Sequence, residues 1–370
     1  MKKLFSFFAF VAIVLTFAAC GGNDGNVPEI NSFRFLVKTL STKEYIKITA
    51  SNPKAYLYAH REYYYGQTVD DFRKYTEDLL LDMPFLENED IYQGYVIFSN
   101  SNQSPDTEYV VWACLVEEDP ETQKTRIVGN IEYVIYKTMP KNTLNGEFTV
   151  DANGKKVHFA EGNKVVDSEG IEYVFMSQTG CWGSKTGDPI DLLTWSWTKA
   201  EKDATASKPF FTLSRNEWIY LFRARDRAEE LFAHATVNGT KGLILLPDNW
   251  QTPDGISLTT TSQMKGFAWD ENESKYSISE DGFEKNKLPS GLWEALEFAG
   301  AVFLPAAGSG KDDIYKMGWY WTSSPSDSDP AAFAYMFRFE KDNVDLSFMT
   351  KYSVKQTLYN FSIRDVRILK

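Results

Sequence analysis

The sequence predicts an all-β sandwich followed by an α+β domain, and three observations support this prediction. Residues 33–138 contain short segments with alternating apolar positions, separated by turn residues. Residues 147–370 combine two amphipathic helical patterns with short, uniformly apolar runs. The chain has 370 residues, more than one average domain of roughly 100–200 residues, and a Pro-, Gly- and Asn-containing linker at 139–146 separates the two parts.

The composition favours a secreted, β-rich protein. Of the residues, 43% are apolar and 15% aromatic, which excludes a wholly disordered chain. The net charge is −12, whereas a nucleic-acid-binding surface needs basic side chains to displace counterions, so no nucleic-acid partner is expected. Three His and three Cys provide few ligands for metal or thiol chemistry, so the chain is not expected to be an enzyme.

Residues 1–19 have the pattern of a secretory signal peptide. Lys2 and Lys3 precede an apolar run that is shorter than the ~20 residues needed to cross a bilayer. The segment TFAAC at residues 16–20 resembles a bacterial lipobox, with Phe17 where Leu is usual. The resemblance implies cleavage before Cys20 and covalent lipid attachment to its thiol. The alternative is an ordinary signal peptide with a chance Cys.

Residues 20–32 form a predicted flexible tether, rich in Gly and Asn. Two or three acyl chains on Cys20 would anchor the protein stably, because a single chain gives only marginal membrane binding. Gly21 follows Cys20 where an Asp would favour retention in the inner membrane. The expected location is therefore the outer membrane, facing the periplasm or the cell surface.

Residues 33–138 show the pattern of a β-sandwich. Phe33, Phe35 and Val37 fall on one face of a strand, and the period of two continues through residues 45–50. Further strands are predicted at residues 94–98, 107–116 and 127–137.

The segment PDTEYVVWA at residues 105–113 resembles the P-x-T-x-Y-x-V-x-A strand of fibronectin type III domains. The resemblance implies an immunoglobulin-like sandwich in which Tyr109 makes a corner hydrogen bond to upstream backbone. Gln103 departs from the family pattern, which has Leu two residues before the proline.

A helix is predicted over Thr68–Leu81, with Thr68 as its cap and Asp71 complementing its N-terminal dipole. Its apolar side consists of Val69, Phe72, Thr76, Leu79 and Leu80. We interpret this helix as a lid over one edge of the sandwich rather than as a partner-binding helix.

Residues 147–370 predict two helices around a small sheet. Ser214 and Glu217 form a capping box at the start of the first helix. The apolar stripe that follows consists of Trp218, Leu221 and Phe222. A second helix is predicted at 290–299, ended by Gly300. The runs 243–246 and 301–304 have no polar face, so both are predicted as central strands.

Several blocks of this domain, in order, resemble a large group of bacterial lipoproteins. The blocks are residues 146–150, 156–163, 213–222, 237–250, 299–308, 318–324 (GWYWTSS) and 361–364 (FSIR). The family is the C-type-lectin-like fold in its formylglycine-generating-enzyme-like, or sulfatase-modifying-factor-like, branch. The resemblance covers residues 146–370 and implies a loop-rich α+β domain whose loops carry its function.

Enzymes of this branch use two C-terminal cysteines to bind copper and activate oxygen. The second domain contains only Cys181, near its start, so this activity is not expected. Cys114 belongs to the sandwich, and we expect two inert thiols rather than a Cys114–Cys181 disulfide.

The remaining candidates for chemistry have simple structural explanations. His60, His158 and His234 are scattered, and His158 is expected at a surface or edge position. Asp312 and Asp313 are an ordinary carboxylate pair in an acidic chain.

Sugar-binding C-type lectins hold calcium and sugar with Glu-Pro-Asn or Gln-Pro-Asp, and the nearest segment here, QTPD at 251–254, has an extra Thr. A Pro-Asp-Gly turn is the preferred interpretation of that segment. Structural calcium at 270–273 remains an alternative to a solvated acidic run, and no other cofactor is expected.

The resemblance places a ligand-facing surface in the C-terminal strands and loops. Tyr, Trp and Arg are enriched at binding hot spots, and this window contains several of them. The candidate ligand-binding residues are Trp319, Tyr320, Asp327, Tyr335, Arg338, Asp345 and Tyr352. Trp321 is assigned to the core, and the alternative for the other aromatics is also a core position.

The sequence thus predicts a lipid-anchored binding module for an unknown glycan or protein ligand. A structural or adhesive surface subunit is one alternative, and a diverged enzyme is another.

Overall fold

The computed structural model describes residues 33–51, 55–80, 91–166, 173–175, 177–179, 209–308, 315–330, 333–351 and 361–368. The predicted signal peptide and tether lie outside these residues, as do Cys20, Cys181, Asp312, Asp313 and Tyr352. These described residues are mostly β-sheet, with 44% strand and 15% helix, and their sheets are open. The chain divides into two compact units, one ending at Lys141 and the other beginning at Asn142.

The first unit contains two antiparallel three-stranded sheets in the order β1-β2-β4 and β3-β5-β6. Its described elements are β1 (Phe33–Thr39), β2 (Glu44–Ala50), β3 (Tyr56–Glu62), α1 (Val69–Leu80), β4 (Tyr95–Asn100), β5 (Glu108–Glu118) and β6 (Thr125–Lys137). The inner faces of the sheets pack together through Phe33, Ile46 and Ile48 on one side and Tyr56, Val111 and Ala113 on the other. The alternation of Phe33, Phe35 and Val37 therefore identifies the inner face of β1, whereas β3 was not predicted.

Helix α1 covers the outer face of the sheet β3-β5-β6, so the prediction of a lid over one edge is wrong. Phe72 is fully buried and stacks on Trp112 at a centroid distance of 5.0 Å. The indole Nε1 of Trp112 donates to the Thr76 hydroxyl at 3.0 Å. The physical reason lies in β5, whose residues Val110–Cys114 are all buried. A strand that is apolar on both faces needs cover on both faces.

Tyr109 makes the predicted corner hydrogen bond. The backbone N–H of Ser104 donates to the Tyr109 hydroxyl oxygen at 3.0 Å. This bond ties the loop before β5 to the strand itself.

The second unit contains a two-stranded sheet, two four-stranded sheets and a five-stranded sheet among its described residues. Its strands are β7 (Phe148–Thr149), β8 (Lys156–Phe159), β9 (Lys164–Val166), β10 (Tyr173–Phe175), β11 (Phe211–Thr212), β12 (Phe232–Val237), β13 (Thr240–Leu245), β14 (Ala268–Asp270), β15 (Lys275–Ser277), β16 (Lys287–Leu288), β17 (Val302–Pro305), β18 (Gly318–Pro325), β19 (Phe333–Glu340), β20 (Asn343–Lys351) and β21 (Asp365–Arg367). Its α-helices are α2 (Arg215–Ile219) and α3 (Ser290–Phe298). None of the helices in the described part of the chain is long and apolar enough to cross a membrane.

Helix α2 begins as predicted. Ser214 accepts from the Glu217 backbone, and the Glu217 carboxylate accepts from Ser214, so the capping box is confirmed. After Ile219 the helix widens into a π-helical turn over Tyr220–Ala224. The predicted stripe of Trp218, Leu221 and Phe222 is buried.

The sheet order β16-β12-β13-β17 confirms β13 as a central strand but, within the described part of the chain, places β17 at an edge. The prediction of a central β17 is wrong because complete burial reflects cover on both faces, not a strand neighbour on each side. The cover includes Trp293 of α3, whose ring lies 5.8 Å from that of Phe303. Gly300 ends α3 with φ +97°, a backbone conformation that favours glycine.

Candidate functional site

One row of side chains crosses all five strands of the sheet β14-β15-β20-β19-β18. Trp319 pairs with Arg338, and Arg338 pairs with Asp345. Asp345 pairs in turn with Lys275, which pairs with Asp270. Directly opposed residues share one face of a sheet, so an indole is followed by alternating positive and negative side chains. We call this set the Arg338 row.

Arg338 is the most constrained member of the row. Its guanidinium carbon lies 5.3 Å from the Trp319 ring centroid and 4.4 Å from that of Phe348. Its Nε is 3.4 Å from an Asp345 carboxylate oxygen, and its Nη1 is 3.8 Å from a Glu340 carboxylate oxygen. These are ion pairs rather than directed hydrogen bonds, because the buried Nε has no hydrogen-bond partner. The Nε1 of the half-buried Trp319 also lacks a partner.

Alternation along the strands divides the predicted ligand-binding residues between the two faces of the sheet. Trp319, Arg338 and Asp345 lie on the face that also carries Trp321, and Phe361 packs over Trp321 there. Tyr320 and Tyr335 point to the opposite face, toward Phe337 and α2. Trp321 is 1% exposed, as its assignment to the core predicts.

Tyr320 is fully buried, so its predicted place on the ligand-facing surface is wrong. Its ring stacks on Phe337 at 5.1 Å, and its hydroxyl donates to the Pro305 carbonyl at 2.8 Å. Tyr335 and Asp345 are also buried, at 9% and 8% exposed, which differs from their predicted surface positions. The Tyr335 hydroxyl donates to Asp327 at 3.0 Å. Arg215 lies over the Tyr335 ring at 4.5 Å. Asp327 is exposed, and its partner Tyr335 lies on the face of the sheet opposite the Arg338 row.

Sequence reasoning missed two members of the row, Lys275 and Asp270. They lie far upstream of the predicted ligand-binding window, and only long-range pairing of β15 with β20 brings Lys275 beside Asp345. Asp270 also organises the turn after β14, since it accepts from the backbone N–H groups of Asn272 and Glu273 at 2.9 and 3.2 Å. In the described part of the chain, no three His, Cys, Asp or Glu side chains converge as a metal site.

The first unit contains a buried polar cluster that the sequence did not suggest. The Tyr136 hydroxyl donates to the fully buried Glu44, and His60 Nε2 lies 2.6 Å from the same hydroxyl oxygen. Gln103 donates to Glu44 at 3.0 Å. Burial raises the pKa of Glu44 and lowers that of His60 to about 4. The carboxylate, the phenol and the imidazole nitrogen are therefore partnered within the cluster.

The other two histidines are also buried. His158 is 7% exposed, and its Nδ1 lies 3.2 Å from the Leu144 carbonyl oxygen, so the expected surface or edge position is wrong. It lies on β8, which is flanked by β21 and β7. His234 is 1% exposed. Burial raises the pKa of the Cys114 thiol to about 12, which makes it a poor nucleophile at neutral pH.

No protein-family model matches the chain, and no curated protein matches it.

Proposed function

We propose that this chain is a lipid-anchored cell-envelope protein that binds a ligand, without catalysis, at the Arg338 row. The observation that carries the proposal is the half-buried Arg338, flanked by Trp319 and Phe348 on a partly exposed sheet face. Arg and Trp are the types most enriched at binding hot spots.

The charges around the row favour a neutral, polyhydroxylated ligand such as a glycan. Arg338 and Lys275 contribute two positive charges, and Asp345 and Asp270 balance them within the row. Glu340 and Glu273 lie 3.8 and 4.0 Å from these two basic groups and add two negative charges. An anionic ligand would be repelled, whereas sugar hydroxyls can donate to carboxylates and accept from N–H groups. A protein ligand is the alternative.

The proposal is tested with soluble residues 21–370 on an array of neutral and acidic glycans and on immobilised envelope proteins. Trp319→Ala or Arg338→Ala should each weaken binding by about 2 kcal/mol, or roughly thirtyfold. Trp269→Ala is the matched control, because Arg223 lies over its ring at the same 5.3 Å as Arg338 over Trp319. Trp269 lies in β14 of the same sheet, but Arg223 already donates a hydrogen bond to Glu229 at 2.7 Å.

Two results would contradict the proposal. If both row variants bind normally while Trp269→Ala does not, the ligand-binding face is wrong. If only acidic glycans are retained, the argument for a neutral ligand is wrong.

We further propose that the first unit is a fibronectin type III-like spacer and the second a C-type-lectin-like module. The Tyr109–Ser104 corner hydrogen bond supports the first assignment. The capping box of α2 and the buried Trp321 lie in blocks that resemble the lectin-like family and support the second.

The lipid anchor depends on Cys20. In cells supplied with a tagged fatty acid, Cys20→Ser should abolish labelling of the protein and leave an unlipidated or uncleaved precursor. Equal label in the variant would exclude Cys20 as the attachment site. Oxygen consumption with copper and a Cys-containing sulfatase peptide tests the absence of catalysis, and turnover above a no-protein control would contradict it.

A further inference from the structure

The outer face of the sheet β1-β2-β4 forms a regular grid of nine side chains. Strand pairing aligns them in three rows, which are Arg34–Thr49–Tyr95, Leu36–Lys47–Ile97 and Lys38–Tyr45–Ser99. The neighbouring positions on the same strands, such as Phe35, Ile48 and Val96, point inward and pack against the other sheet. The grid therefore lies on the outer face of its sheet, which is the face opposite the one that packs against the other sheet. Arg34, Tyr95 and Ile97 are exposed there, whereas burial lowers the pKa of Lys38 and the Tyr45 hydroxyl oxygen is buried.

This grid has an unusual charge for the chain that carries it. It contains three basic residues and no carboxylate, although the whole chain has 51 acidic and 39 basic residues. Solubility alone would be served equally well by acidic side chains, which are the commoner type here. The grid thus concentrates positive charge on one flat face.

The same grid presents apolar and aromatic surface. Tyr95 is 48% exposed and Ile97 is 40% exposed, and both lie on the edge strand β4. The Lys47 ammonium lies 5.1 Å from the Tyr95 ring centroid. Tyrosine and basic side chains beside aliphatic ones are the composition that suits a membrane–water interface, where rings sit at headgroup level and cations meet phosphates.

We propose that this grid docks on the anionic phospholipid headgroups of the membrane that carries the chain. The inference rests on the proposed lipid anchor at Cys20, because residues 20–32 lead directly into β1. A segment of that length spans at most roughly 45 Å, so the grid would stay close to the bilayer surface. Each basic residue near an anionic surface contributes roughly fivefold to binding, or roughly twenty-five-fold for Arg34 and Lys47 together.

The test attaches residues 21–370 to vesicles through an amino-terminal histidine tag on a nickel-chelating lipid, so it does not require lipidation of Cys20. Vesicles contain either phosphatidylcholine alone or phosphatidylcholine with phosphatidylglycerol. An amine-reactive reagent then measures the accessibility of Lys47, with Lys287, 68% exposed, as the reference in the same molecule. Labelling of Lys47 should fall at least about fivefold on the anionic vesicles only, and high salt should restore it.

A charge-reversed pair supplies the matched control. Arg34→Glu should abolish the protection of Lys47, whereas Arg126→Glu, an equal change of charge on the other sheet of the same unit, should leave it intact. Circular dichroism would show that both variants remain folded.

Three results would overturn the proposal. Full labelling of Lys47 on both kinds of vesicle would exclude docking on anionic lipid. Protection of Lys47 on both kinds of vesicle would show a membrane contact that does not depend on headgroup charge. Protection by a soluble anionic polysaccharide but not by anionic vesicles would make the grid a polysaccharide site. A lipid anchor that failed in cells would leave these vesicle results unchanged, so the two failures are distinguishable.

Discussion

The side chain of Gln178 lies along the edge of β17, where its Oε1 accepts a hydrogen bond from the backbone N–H of Phe303 at 2.7 Å. The amide Nε2 points at the carbonyl oxygen of Ala301, 3.4 Å away, and donates to Glu297 at 2.8 Å. Gln178 is 4% exposed, so these groups are removed from water. The Gln178 side chain therefore provides hydrogen-bond partners that a neighbouring strand would otherwise supply. This allows β17 to be buried although it is an edge strand.

Gln178→Ala should destabilise the second unit by about 1–3 kcal/mol. The reason is that the Phe303 N–H would be buried without an acceptor, and Arg364, whose Nη2 lies 3.2 Å from the Gln178 oxygen, would lose a partner. Urea unfolding measures the change. Gln251→Ala, at an exposed position, should stay within about 0.5 kcal/mol of the wild type, and equal effects of the two would show that the edge contact is not stabilising.

Phe72→Ala should destabilise the first unit by about 3–5 kcal/mol. The substitution leaves a cavity against Trp112 and loosens α1 from the outer face of its sheet. Thermal unfolding provides the measurement, with Tyr65→Ala as the control because Tyr65 is 100% exposed. A small effect of Phe72→Ala would mean that α1 is dispensable for the sandwich.

Tyr109→Phe should cost about 0.5–1.5 kcal/mol, because the Ser104 N–H loses its acceptor while the buried ring remains. Tyr133→Phe is the control, since Tyr133 lies on the same sheet and is 44% exposed. Chemical denaturation of both variants separates the corner hydrogen bond from a general effect of hydroxyl removal. If the two substitutions lower the free energy of unfolding equally, the corner hydrogen bond makes no specific contribution to stability.

Acidification from pH 6.5 to 4 should destabilise the second unit through His234. Burial lowers the pKa of His234 to about 4, so the unfolded state binds a proton in this window that the folded state does not. The free energy of unfolding should therefore rise with pH across the window, by at most about 1.4 kcal/mol per pH unit for this group. The hydrogen bonds of His234 fit a neutral imidazole. Its Nε2 lies 2.9 Å from the Glu340 carbonyl oxygen and must donate, so its Nδ1 is left to accept from the Thr261 hydroxyl at 3.0 Å.

The measurement is urea unfolding at a series of pH values, followed by tryptophan fluorescence. His234→Gln should flatten the slope between pH 4 and 6.5. An unchanged slope would show that His234 does not titrate with folding. Burial also lowers the pKa of His158 in the same unit, so some slope should remain in the variant.

The local patterns in the sequence determined the elements whose causes are local. Ser214 and Glu217 are three residues apart, and their capping box forms from that spacing alone. Phe33, Phe35 and Val37 alternate, and the alternation identifies the inner face of β1. The predicted Tyr109 corner bond spans five residues.

Only the tertiary structure decided which elements lie beside one another. Neighbouring residues Trp319 and Tyr320 must point to opposite faces, but which of the two meets the core depends on the packing of α2. The row from Trp319 to Asp270 forms because β15 pairs with β20, a long-range contact that no local pattern specifies. The edge position of β17 and the cover of β5 by α1 also depend on which elements pack together in the folded chain. Apolar side chains must be buried, and the rest of the fold determines which residues cover them.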